Sequence, residues 1–180
     1  MAGDPLLFGV LLGAHVLAGL ACVVTGVVAM LSPKRAGRHP TAGAIYYGCL
    51  SAVFVSASLL AALRWDEDFP LFVVGTLAFL SASLGRAALR RRWRGGVRLH
   101  IACMGASYVL LLTGFYVESG AKLPLWRELP RVAYWLGPGA VGIPLIVRAL
   151  LREPIPLPEP AGSTRRGARS GAEERPRVRG

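Results

Sequence analysis

Five apolar runs, each about as long as a bilayer is thick, leave this chain few ways to fold. They occupy residues 5–31, 43–63, 70–89, 99–119 and 132–151. An α-helix rises about 1.5 Å per residue, so about 20 apolar residues cross the roughly 30 Å of hydrocarbon. Inside lipid the backbone must pair its own N–H and C=O groups, which selects helices. Only 17% of the residues are charged, against about 25% in a soluble domain, and they lie in short blocks between the runs. The sequence therefore predicts an all-α integral membrane bundle of five transmembrane helices. The fifth run contains Gly137, Pro138, Gly139, Gly142 and Pro144. It is expected to be kinked there, or else interrupted or re-entrant, because each proline removes a helical hydrogen bond.

The basic residues orient the bundle. One side carries Lys34, Arg35, Arg38, Arg86, Arg90, Arg91, Arg92, Arg94, Arg98, Arg148 and Arg152, and the other only Arg64, Lys122, Arg127 and Arg131. Cytoplasmic loops collect Lys and Arg, so the N-terminus is expected outside and the C-terminus in the cytoplasm. The net charge of +11 is then a matter of topology. No nucleic-acid partner is expected, because no basic-aromatic face remains outside the spans. The basic residues of the first span follow its apolar run, the reverse of a cleavable signal peptide, so the span is read as retained. Aromatic residues fit this frame, with Trp65, Phe69, Trp126, Tyr134 and Trp135 at the outer interface and Tyr46, Tyr47 and Trp93 at the inner one. The Pro- and Arg-rich tail, residues 153–180, lacks apolar residues to bury and reads as disordered. The expected partner is the lipid bilayer, with arginines of the loops and tail against anionic headgroups. The oligomeric state is left open.

Little in the spans bears chemistry. No Asp or Glu lies mid-span, which argues against an ion-coupled transporter. There is no GxSxG, HExxH or phosphate-binding glycine loop, so a hydrolase is not expected, and the reading leans away from an enzyme. Cys22, Cys49 and Cys103 all lie in apolar runs, which speaks against a disulfide framework. The histidines remain. His15 lies in the first span and His100 at the inner edge, about 20 Å apart along the membrane normal, too far to share a metal. His39 and His100 lie at one depth and could share one. His100, Cys103 and Met104 are spaced i, i+3, i+4 on one helix face. Imidazole, thiol and thioether suit copper as well as iron.

Three motifs follow in order: His15-x3-Gly19 with Gly26, His39-x3-Gly43-x2-Tyr46, and His100-x3-Met104-x2-Ser107-Tyr108. Together they resemble a bacterial family of membrane proteins named domain of unknown function 2306, over about Leu6–Trp135. The resemblance implies a small multi-span protein of the bacterial cytoplasmic membrane, and its histidines invite comparison with membrane cytochromes. The family usually has Arg before the Ser-Tyr pair where this chain has Ala106, and a basic residue where it has Pro40.

Three functions are consistent with these features. The first is a redox or metal-binding membrane protein. His39 and His100 would hold a haem or copper ion at the inner face, with Cys103 and Met104 auxiliary and Tyr108 a supporting donor. His15 would be a separate intramembrane site. The second is a scaffold or interaction protein whose histidines bond neighbouring helices. The third, a small-molecule permease, requires a polar cavity. All three need the same topology. Reporter fusions in the turn around Trp93 are expected to read out as cytoplasmic, and those near Trp126 as external; the reverse pattern would contradict the orientation.

Overall fold

The computed structural model describes residues 5–34, 37–124 and 126–153, which hold helices and no strand. Five helices follow in order: α1 (Pro5–Leu31), α2 (Arg38–Leu63), α3 (Trp65–Arg90), α4 (Gly96–Ser119) and α5 (Arg131–Arg152). A short 3-10 turn, Gly120–Lys122, follows α4. Each of the five is long and apolar enough to cross a membrane, and the chain is a multi-pass membrane protein. Arg35 and nearly all of the tail read as disordered lie outside the described residues.

Several helix starts lie earlier than the hydropathy implies. α2 begins at Arg38, not at residue 43, and takes in His39 and Pro40. Proline fits there because first-turn N–H groups have no intrahelical partner to lose. Thr41 lies inside this helix, and its Oγ1 donates back to the Gly37 carbonyl at 3.0 Å. α3 begins at Trp65 rather than at residue 70. The acidic run Asp66, Glu67, Asp68 forms its first turn, where carboxylates meet the positive end of the helix dipole. Glu67 also pairs with Arg64. Of the alternatives for the fifth run, the structure has the uninterrupted one: α5 runs through Pro138 and Pro144 as one helix. Its support comes from α4. Ile146 of α5 seats on Gly105, and Val109 of α4 seats on Gly142, so a Cβ at either glycine would collide.

Consecutive helices alternate in direction. α1 packs on α2, α2 on α3 and α3 on α4, and a smaller contact between α1 and α4 closes a four-helix bundle. α5 lies outside it, against α4. α2 and α4 therefore run parallel, both starting at the arginine-rich end. The core consists of Cys22 of α1, Tyr46 and Leu50 of α2, and Ala78 and Ala82 of α3, with Met104, Tyr108, Leu110 and Leu111 of α4 packed against it. Small residues on α3, namely Ala78, Ala82, Gly85 and Ala88, let its neighbours approach closely.

On α1, His15, Cys22 and Gly26 meet neighbouring helices. The glycine pair Gly9 and Gly13 is different: a Cβ on either would meet nothing within 4 Å. The constrained glycine is Gly26, where a Cβ would collide with the Tyr108 ring and lie 3.2 Å from that of Tyr46. Gly26→Ala is thus expected to destabilise the bundle by about 1–3 kcal/mol, while Gly9→Ala stays within about 0.5 kcal/mol of the parent. Unfolding in detergent micelles, followed by circular dichroism, checks the pair.

Candidate functional site

The arginine-rich end of the bundle brings two histidines together. His39 enters from the first turn of α2 and His100 from the second turn of α4, with ring centroids 6.4 Å apart and planes at 81°. Each ring is held by a carbonyl of a different neighbour. His39 Nδ1 lies 2.8 Å from the Ala29 carbonyl of α1, and His100 Nδ1 lies 3.1 Å from the Gly85 carbonyl of α3. A carbonyl only accepts, so each Nδ1 carries the hydrogen. In the neutral ring the lone pair is then on Nε2, the arrangement in which an imidazole ligates a metal.

Gly85 is the seat of the α4 face. A Cβ there would lie 3.0 Å from Cys103 Cβ and 3.4 Å from Met104 Cγ. His100, Cys103 and Met104 thus all lean on one residue of α3, as their i, i+3, i+4 spacing requires. Cationic groups surround the pair, with Arg86 and Lys34 near enough to act electrostatically on His100. The Arg86 guanidinium lies 4.5 Å from the Tyr47 ring centroid, a cation–π contact that holds it at the wall of the bundle. Lys34 Nζ donates to the Ala29 and Met30 carbonyls at 3.0 and 2.9 Å, closing the C-terminal end of α1. Partial desolvation there lowers its pKa from the usual lysine value.

A second polar layer lies seven residues further along both helices, about 10 Å deeper. Ser107 Oγ donates to the Met104 carbonyl at 2.8 Å, so its one hydrogen is used. The buried Tyr46 hydroxyl, 2.9 Å away, is therefore the donor to Ser107. His39 and Tyr46 on α2 face His100 and Ser107 on α4 at the same interval. Tyr108 had been expected to support the histidines. Its hydroxyl instead donates to the Val23 carbonyl of α1 at 3.2 Å, while its ring packs on Gly26.

His15 belongs to neither layer. Its Nδ1 lies 2.9 Å from Ser56 Oγ, whose hydrogen goes to the Ala52 carbonyl, so His15 is the donor. Ala29, which receives His39, is 14 residues further along α1, a rise of about 21 Å. The separation inferred from sequence therefore holds.

Among the described residues no three His, Cys, Asp or Glu side chains gather closely enough to hold a metal ion. The histidine pair supplies two imidazoles, and Cys103 and Met104 lie on the same face of α4 as His100. The carbonyls of Ala29 and Gly85 and the hydroxyl of Ser56 were not singled out from sequence as histidine partners. Backbone acceptors carry no residue signature, but the matched seven-residue spacing after His39 and His100 was available. Comparison of the chain with family models, curated proteins and solved structures finds no match in any of the three.

The Tyr46–Ser107 bond gives a test of the inner packing. Ser107→Ala leaves the Tyr46 hydroxyl buried without its acceptor and is expected to cost about 1–3 kcal/mol. Adding Tyr46→Phe should recover part of that loss. The double-mutant cycle, read by thermal unfolding in micelles, checks both statements.

Proposed function

We propose that this membrane protein binds a haem or a copper ion between His39 and His100 at its cytoplasmic face and serves in electron transfer. The family resemblance carried by its three histidine motifs, and the bacterial cytoplasmic membrane that goes with it, are part of this reading. The observation that carries it is the pairing of two imidazoles, each fixed through Nδ1 and each with Nε2 free to ligate. Metal–nitrogen bonds of about 2.0 Å place two rings on opposite sides of one metal with centroids about 6 Å apart. The 6.4 Å observed here is close to that separation. Two protein ligands are too few for a structural zinc site, which takes four. They suit a haem, whose macrocycle supplies the other four ligands, or copper(I), which accepts low coordination and soft donors such as the Met104 thioether.

One observation favours the cofactor-free scaffold instead. Among the described residues no fully buried side-chain nitrogen or oxygen lacks a hydrogen-bond partner, so no buried polar group requires a cofactor to satisfy it. His15 with Ser56 exemplifies such a helix-to-helix bond.

Visible spectroscopy and elemental analysis of the purified chain separate the two. A Soret band, or about one copper per chain, is expected in the parent protein and in His15→Ala. It should be lost in both His39→Ala and His100→Ala. A colourless protein without stoichiometric metal would end the cofactor reading and leave the scaffold.

A further inference from the structure

The turn joining α3 to α4 is wound tightly. Arg92 N and Trp93 N donate to the Leu89 and Ala88 carbonyls at 3.2 and 3.1 Å, and Gly96 N donates to the Trp93 carbonyl at 2.8 Å. Gly95 adopts φ 72°, which glycine takes freely, but Arg92 adopts φ 51°. A left-handed backbone is costly for a residue with a Cβ, and such strain is often kept where it aims a side chain. Gly96 is needed for a separate reason: a Cβ there would lie 2.8 Å from the Ala88 carbonyl oxygen.

This turn roofs a cleft of about 350 Å³ lined by Leu89, Arg92, Trp93, Val97, Arg98 and Glu153, among others. Arg98 spans its floor, where Nη1 donates to the Leu150 and Glu153 carbonyls at the end of α5, at 3.0 and 3.1 Å. Its other N–H groups remain for a ligand. Arg92 and Arg98 line the cleft together with Glu153, and Arg91 and Arg94 lie in the same turn. None of these arginines is in an ion pair among the described residues, where the three ion pairs all lie at the opposite end of the bundle. The rest of the lining is apolar, and Trp93 sits at the level where indole rings meet headgroups.

We infer that this cleft is the seat of one anionic phospholipid, its phosphate on Arg92 and Arg98 and its chains running out along Leu89 and Val97. Basic pockets between helices at the cytoplasmic surface suit such headgroups, and the apolar wall distinguishes a lipid from a free anion. This does not depend on the histidine site, which is formed by other residues.

Native mass spectrometry of the full chain in detergent, titrated with phosphatidylglycerol or phosphatidylcholine, tests it. One phosphatidylglycerol is expected to be retained in preference to phosphatidylcholine. Arg92→Gln should reduce that preference about fivefold, the weight of one arginine at such a surface. Arg92→Gly should reduce it equally while melting no lower than the parent, because glycine relieves the left-handed strain, so loss of lipid is separable from loss of fold. Arg131→Gln at the opposite end should leave the preference intact. Glycerol 3-phosphate, which has the charge without the chains, should not compete. Equal retention of both lipids, an unchanged preference in the Arg92 variants, or effective competition by glycerol 3-phosphate would each overturn the assignment.

Discussion

Hydrocarbon offers no water to a polar group, so every polar group within the spans needs a partner inside the protein. Most hydroxyls meet that demand locally. Thr25, Ser51, Ser58, Thr76 and Thr113 all donate to the carbonyl four residues earlier. Such bonds satisfy the hydroxyl but say nothing about neighbouring helices. The tertiary arrangement is carried by the few side chains too long to turn back on their own helix. His15, His39 and His100 reach α2, α1 and α3, and Tyr46, Tyr47 and Tyr108 reach α4, α3 and α1.

These long polar side chains lie in layers because α2 and α4 are parallel. Seven residues make about two turns of a helix, so residues at that interval share a face. Two helices running the same way keep such a pattern in step. The histidine layer lies near the starts of α2 and α4 at the arginine-rich end, and the Tyr46–Ser107 layer lies further along both helices in the core. Arg86 bridges the two environments, with its stem in the bundle and its guanidinium over Tyr47, as a snorkelling arginine does. The same end carries the lipid cleft, so the two proposed sites share one face through different helix pairs.

Charge separates the two ends of the molecule. The opposite end neutralises itself with Arg64–Glu67, Glu118–Lys122 and Arg127–Glu128, all solvent-exposed pairs worth little in stability. The arginine-rich end has no ion pair among the described residues. That asymmetry is what the expected orientation rests on, because cytoplasmic loops collect Lys and Arg.

Hydropathy and charge were enough to read five helices and which ends lie together, because the cost of burying charge in lipid is paid residue by residue and needs no knowledge of neighbours. The shared depth of His39 and His100, and the separation of His15 from both, followed from the rise of a helix alone. The early starts of α2 and α3 were missed because Pro40 and the acidic run resemble loop residues, yet suit a first helical turn. Only the tertiary structure decided that the two imidazoles meet and that Gly26 rather than the Gly9–Gly13 pair is constrained. The same holds for the Tyr108 hydroxyl, which turns to Val23. Those outcomes depend on how helices rotate and which carbonyls they offer each other, and a backbone carbonyl has the same chemistry at every position in the chain.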